Sequence, residues 1–391
     1  MRIIYILSST TPFGGASKSF LNLMACFVKM DVTPLVITPD NNGLCTQLDE
    51  LGIPHRSLFY RYGTYPQIET KKDRLLFIPR LCGRVFANII GTIQLYKIAK
   101  KFGPDIIHTN VSIITIGYRV ARILHIPHIW HIREFVDKGL NMRFYPTQNC
   151  HLRALLKPLS YSICITNDIA KYLHLDGCPQ SRVIYNGIIT SGMQEEALSN
   201  DKRENVFFYA GHIEPIKGVM EMIVAFGRSI GFMKERHQLV LAGKLTNPNY
   251  YEQVKSKIAE MHIENDVRFL GEISNVQDWM RKSKAVVIPT ICEGFGRVMP
   301  EAMSVGALVI AHNTAGSKEQ LDNGKELTGN EIGLRYNNAN ELTDCFISVA
   351  NNDMTQYDPM RIYAKKTINH YYTIEQYSMN VYAFYKDILN I

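Results

Sequence analysis

A chain of 391 residues has room for about two domains of roughly 150–200 residues each. With 46% hydrophobic and 20% charged residues it can bury substantial cores, and its formal charge of +7 permits but does not demonstrate attraction to an anionic substrate or membrane surface. The run Met1–Leu7 is too short for a signal peptide, no apolar run approaches the ~18 residues of a spanning helix, and the eight cysteines contain no Cys-x-x-Cys. The cysteine pattern speaks against a disulfide frame and a zinc site, and for reduced thiols in the cytoplasm; no nucleic-acid partner is expected.

Short apolar runs alternate with longer helical patterns along the whole chain. The first strand is predicted over 2–7 and runs into Ser8–Gly15, where Gly14 and Gly15 precede a helix over 16–30. A strand over 34–38 follows. Residues 71–101 then carry Lys71, Lys72, Arg74, Arg80, Arg84, Lys97, Lys100 and Lys101 against a single acid, Asp73, with leucines, isoleucines and phenylalanines interleaved. Such a stretch either lies in a membrane interface or packs one face on the core with its charges in water. Strands over 105–109, 128–132, 161–166 and 182–185 complete the first half, with a helix over 167–175. His108 ends the third of these six strands, and His131, Arg133 and Glu134 cluster at the end of the fourth. Asn186 and Gly187 read as a tight turn. A polar connector over 187–204 separates the halves.

The second half repeats the pattern, with strands over 206–210, 238–242, 267–270, 285–289, 307–311 and 332–336 and helices over 217–230 and 249–261. Two alternating blocks of this kind imply two doubly wound parallel-sheet domains, at 1–187 and 205–372. The segment 373–391 is a further helix, rich in Tyr at helical spacing.

The chemistry concentrates in Glu293-Gly294-Phe295-Gly296-Arg297-Val298-Met299-Pro300-Glu301. Glu293 lies on the loop leaving a strand's carboxyl end, where ligands bind in open α/β sheets. Glu301 falls in the first turn of the next helix, after Pro300, and Gly306 stops that helix. Gly294 and Gly296 let backbone approach a ligand closely, and helix-start N–H groups favour an anion. Carboxylates for hydroxyls beside N–H groups for a diphosphate suit a sugar nucleotide. Upstream, Ala210–Gly218 places His212 and Lys217 after another strand.

The stretch from Glu293 to Ile310 resembles the signature of the retaining glycosyltransferases of family 4, which have the GT-B fold: two Rossmann-like domains facing a cleft. The resemblance covers most of the chain and is stronger in its second half. It implies a donor site made by Gly15, His212, Lys217, Glu293, Gly294, Phe295, Gly296, Arg297, Val298 and Glu301. Lys217 matches the family's phosphate-gripping lysine, whereas His212 stands where an arginine is usual. Thr314–Glu319 resembles the family's Gly-Gly-x-x-Glu turn, with alanine for one glycine, and makes Glu319 a minor candidate. The resemblance further implies Glu301 on the ribose, Glu293 and His131 near the transferred sugar, and Gly14, Arg133 and Glu134 toward the acceptor. The C-terminal helix 373–391 is expected to cross back onto the first domain.

The activity implied is metal-independent, retaining transfer without a cofactor. It would carry a sugar from a nucleoside diphosphate, a UDP-sugar among the candidates, to a glycan or lipid-linked acceptor in cell-surface polysaccharide synthesis. The setting would be cytoplasmic, with peripheral contact at the membrane's inner face through 71–101. Two alternatives share the fold: a sugar-nucleotide 2-epimerase, and a non-catalytic subunit of a polysaccharide assembly complex.

Overall fold

The computed structural model describes residues 1–12, 14–191 and 203–391; most of the polar connector, 192–202, thus lies outside the described residues. The chain divides into two units. Met1–Gly187 and Ile374–Ile391 form the first, and Ile188–Thr373 the second.

The first unit is built on seven strands: β1 (Arg2–Ile6), β2 (Thr33–Thr38), β3 (His55–Ser57), β4 (Ile106–Thr109), β5 (His128–Ile132), β6 (Ser160–Cys164) and β7 (Ser181–Val183). All pair in parallel, in the order β3-β2-β1-β4-β5-β6-β7. The second has β8 (Glu204–Ala210), β9 (Gln238–Ala242), β10 (Val267–Gly271), β11 (Ser283–Ile288), β12 (Val309–His312) and β13 (Leu334–Tyr336). Its parallel order is β10-β9-β8-β11-β12-β13. Each of the twelve strands expected from apolar runs overlaps one of these, with ends shifted by up to two residues. The addition is β3, whose sequence His-Arg-Ser has no apolar run because it pairs only with β2 at the sheet edge.

The strands read as continuous apolar runs because both sheet faces are covered. In β1, Ile3 and Tyr5 join the core on one face while Ile4 and Ile6 join the core on the other. The first of these cores lies under helix Gly15–Phe27 and helix Ile374–Leu389. The chain therefore returns from Thr373 to complete the first unit: Tyr377, Val381, Phe384, Tyr385 and Ile388 bury one face of the last helix. Strand order reverses between β1 and β4 in the first sheet and between β8 and β11 in the second. Loops leaving such a pair depart to opposite faces and open a crevice at the strands' carboxyl ends.

The last helix is thus core. Phe384, 3% exposed and edge-on to Tyr161, should cost the first unit about 3–5 kcal/mol when truncated to alanine. Equilibrium urea unfolding reads this; a loss below about 1 kcal/mol would mean that the helix is peripheral.

Candidate active site

In the second unit the site starts at the β8–β11 reversal. After β8 the chain makes one 3-10 turn, Pro215–Lys217, before helix Val219–Ser229. Gly218 joins them at φ +67°, and a Cβ there would stand 1.9 Å from the carbonyl oxygen of Pro289. Only glycine permits that approach. Beside it, the Ile291 amide donates to the Ile216 carbonyl at 3.0 Å. The turn is thereby pressed onto the exit of β11, and Lys217 Nζ comes 2.6 Å from Glu293 Oε2. Their side chains are 22% and 28% exposed, respectively, so the pair is ordered yet reachable by a ligand.

Glycine also shapes the loop from Glu293 to Arg297. Gly296 has φ +82°. The buried Gln320 amide, from helix Ala315–Thr328, donates to the carbonyls of Phe295 and Gly296, the latter at 3.2 Å. The Gly316 amide donates to the Glu293 carbonyl at 3.1 Å, and a Cβ on Gly316 would meet Phe295 O at 2.7 Å. Ala315, standing where the resembled motif has glycine, adopts φ +45°, a conformation that costs an L-residue roughly 1–2 kcal/mol.

Helix Val298–Ser304 begins two residues earlier than Pro300 suggested. Pro300 sits in its first turn, where a missing N–H breaks no helical bond. Glu301 lies in that turn with Oε1 3.3 Å from Arg297 Nη2. Gly306, at φ +73°, ends the helix. Two carboxylates therefore flank Gly296, each facing a cation. His212 stands apart: its ring is 57% exposed and its nearest charge is Glu214, at 3.9 Å. The Tyr209 hydroxyl donates to the His212 carbonyl at 2.7 Å. Burial first, and the charge of Glu293 second, raise that phenol well above its usual range. Glu319 is buried in the helix that carries Gln320.

The β1–β4 reversal of the first unit is polar and closed. Gly14 caps helix Gly15–Phe27 with extended backbone, and its carbonyl accepts from the Lys18 amide at 2.9 Å. A Cβ on Gly14 would meet only ordinary contacts, the nearest at 3.7 Å, so sterics do not demand glycine there. Asn110, after β4, donates to the Ala16 carbonyl at 3.3 Å. His131 is fully buried, with Nδ1 3.1 Å from His108 Nε2 and 3.3 Å from Arg133 Nη2. Its Nε2 has no hydrogen-bond partner among the described residues. His108 in turn meets the Tyr385 hydroxyl at 2.5 Å.

Arg133 is buried, and among the described residues no carboxylate forms an ion pair with it. It donates to the carbonyl and side chain of Asn110, to Asn186 Oδ1 at 2.6 Å and to the Tyr377 hydroxyl at 3.2 Å. Asn186 thus does more than turn the chain. Glu134 accepts from the Ser112 hydroxyl at 2.9 Å and amide at 3.1 Å. Burial raises its pKa while these bonds and Arg133 oppose the rise. A concavity of about 280 Å³ opens beyond β1 and β2, lined by Ser8, Asp40, Tyr60, Arg61 and Arg84 among others.

Each unit thus assembles its own expected residues: Lys217, Glu293, Arg297 and Glu301 in the second, and His131, Arg133 and Glu134 in the first. Sequence reasoning missed Gln320, Asn110, Tyr377 and Tyr385. The last two had left a trace as tyrosines at helical spacing in the tail; Gln320 and Asn110 had left none. Among the described residues, no three His, Cys, Asp or Glu side chains cluster to hold a metal ion.

Comparison with known proteins places these features in context. The family model described as Glycosyltransferase Family 4 matches residues 13–191, and that of Glycosyl transferases group 1 matches residues 193–367. An uncharacterized glycosyltransferase of Methanocaldococcus jannaschii is 27% identical over 75% of this chain and 79% of its own length. The UDP-Gal:alpha-D-GlcNAc-diphosphoundecaprenol alpha-1,3-galactosyltransferase of Escherichia coli is 25% identical over 62% of this chain and 67% of its own. The Anabaena protein HepE, solved in complex with UDP-glucose, superimposes with TM-score 0.72 at 18% identity, over 99% of this chain and 100% of its own. The architecture of two parallel-sheet units is the GT-B fold.

Burial holds four histidines of the first unit neutral. The pKa values of His108 and His151 fall to about 3, and those of His128 and His131 lie well below the ordinary 6.5. An unfolded chain takes up these protons near pH 6.5 and the folded chain does not. Their contribution to stability is therefore complete above 6.5 and is lost as pH falls toward the folded values, at about 2 kcal/mol per histidine between pH 7 and 5. The first unit's urea midpoint should drop steeply across that window. His151→Phe, replacing a ring stacked on Phe144 at 3.7 Å, should reduce the slope by one histidine's share; a flat wild-type profile would contradict the burial argument.

Proposed function

The chain belongs to glycosyltransferase family 4 of the group 1 glycosyl transferases, and from that membership we propose that it moves a sugar, with retention of configuration, from a nucleoside-diphosphate sugar to a glycan or lipid-linked acceptor in polysaccharide synthesis. The observation that carries the donor assignment is the paired arrangement Lys217–Glu293 and Arg297–Glu301 around Gly296, at the point where strand order reverses. A diphosphate needs cations and backbone donors; a ribose needs a carboxylate to accept from its hydroxyls.

In this reading Glu301 takes the ribose hydroxyls. Lys217 and the backbone from Gly294 to Val298 take the diphosphate, with Phe295 packed beneath and His212 at the rim. Uridine as the base is supported by the UDP-glucose complex of the Anabaena protein and by the donor in the name of the E. coli relative. That second name also supports a lipid-linked acceptor. Gly14, Glu134 and the concavity beside Arg61 are the acceptor's candidates, with Arg133 holding Asn110 and His131 in place.

Glu293 is not cast as a nucleophile, because a same-face displacement assisted by the departing phosphate needs no covalent intermediate. The bond from the sugar's anomeric carbon to the diphosphate breaks while the acceptor oxygen bonds on the same face. The acceptor's proton passes to the departing phosphate. Lys217 and backbone donors stabilise the charge released, so the scheme calls on no metal ion or cofactor. His131 is assigned near the reacting centre as a neutral, buried imidazole whose Nε2 lacks a hydrogen-bond partner among the described residues.

Glu301→Ala should weaken donor binding by about 1.5–3 kcal/mol, roughly 10- to 100-fold, measured by calorimetry with UDP-sugars. Unchanged affinity in a folded variant would remove Glu301 from the site. His131→Ala should reduce turnover far more than it lowers the melting temperature. Loss of stability with normal turnover in the folded fraction would make His131 a core residue only.

A further inference from the structure

The stretch 71–101 folds as helix Lys71–Leu75 and helix Phe77–Phe102, and the long helix is turned the unusual way round. Its buried face consists mostly of small residues: Ala87, Asn88, Gly91, Leu95 and Ala99. A Cβ on Gly91 would stand 2.8 Å from the Phe59 carbonyl oxygen, so close packing selects small residues there. Leu95, Ile98 and Phe102 pack on the core, but four large apolar residues point out. Ile78, Phe86, Ile89 and Ile93 are 62%, 63%, 48% and 51% exposed. At 100° per residue they fall within about 80° of the helix circumference and form a stripe roughly 22 Å long. Cys82, also exposed, lies within it. A core-facing amphipathic helix shows the opposite arrangement.

Charge indicates what covers the stripe. Lys71, Lys72 and Arg74 are exposed before its start, and Lys97, Lys100 and Lys101 after its end. No acid occurs between Arg74 and Gly103. Arg80 is paired with Asp73 at 2.5 Å and Arg84 turns inward to the Thr64 and Tyr65 carbonyls, so neither crosses the stripe. Among the described residues, no helix is long and apolar enough to span a membrane.

We propose that helix Phe77–Phe102 lies flat on an anionic lipid bilayer, with Ile78, Phe86, Ile89 and Ile93 among the acyl chains and the lysines at both ends on lipid phosphates. Apolar burial and attraction to anionic headgroups together hold such a helix in the interface. A second copy of the chain is a poorer occupant, because an isologous contact along this helix sets like charges near one another.

The experiment uses the full chain, without donor or acceptor, floated with vesicles of phosphatidylcholine alone or of phosphatidylcholine with phosphatidylglycerol. Binding should require phosphatidylglycerol and fall as salt rises. Phe86→Ser with Ile89→Ser, and separately Lys97→Glu with Lys100→Glu, should each weaken it by roughly tenfold or more. Circular-dichroism melts should match the wild type, since all four side chains are exposed. A polarity-sensitive fluorophore on Cys82, in a Cys150→Ser background, should shift to the blue when these vesicles are added. Equal binding to pure phosphatidylcholine, wild-type binding by both variants, or no binding and no shift would overturn the proposal. So would a solution dimer that Phe86→Ser with Ile89→Ser dissolves while vesicles remain unbound. None of these outcomes depends on the donor assignment.

Discussion

Gly218 approaches the Pro289 carbonyl so closely that no other residue fits between them, and the second unit's chemistry depends on that contact. It brings the turn after β8 against the exit of β11, two strands adjacent in space but far apart in the chain. Without it Lys217 would be a solvated lysine at a helix start and Glu293 a loop carboxylate. With it they form one charged pair at the mouth of the crevice. The same logic recurs at Gly316, where a second close approach seats the loop from Glu293 to Arg297 on the following helix. Gln320 then fixes two of that loop's carbonyls from within the core. A partly exposed ion pair contributes little to stability, so its value here lies in placing charge before a ligand arrives.

The first unit manages charge differently. Arg133 is buried with carbonyls, amides and a tyrosine hydroxyl as its partners. These satisfy its donors without neutralising it. Burial first, and its positive charge second, keep His131 and His108 uncharged. Since the Arg133 guanidinium can only donate, Nδ1 of the neutral His131 accepts and its hydrogen lies on the buried Nε2. The helix Ile374–Leu389 supplies Tyr377 and Tyr385 to this network, so the last residues of the chain complete a cluster begun on β4 and β5.

Helix Phe77–Phe102 shows how one close approach can invert a surface. Because the Phe59 backbone crosses directly over Gly91, the face at that crossing must be small, and Ile78, Phe86, Ile89 and Ile93 are left outside. Apolar residues on opposite flanks of one helix then serve two different environments.

Much of this protein was legible in its sequence. Apolar runs of strand length revealed twelve strands, because buried parallel strands need no polar alternation, and only the polar edge strand β3 escaped. Glu293, Gly296 and Glu301 were legible because one loop and one helical turn bring them together, and local geometry follows from local sequence. Lys217 was legible only through a resemblance, since 76 residues separate it from its partner. What the sequence could not reveal were contacts created by packing. Gln320 is an ordinary helical glutamine until its helix docks under the loop; Asn110 and Tyr377 meet Arg133 only when a strand end and the last helix converge. Periodicity likewise showed that 71–101 is amphipathic, but not which side faces in. A hydrophobic pattern specifies a face, whereas the neighbour that approaches it, here a backbone carbonyl against a glycine, is decided only in three dimensions.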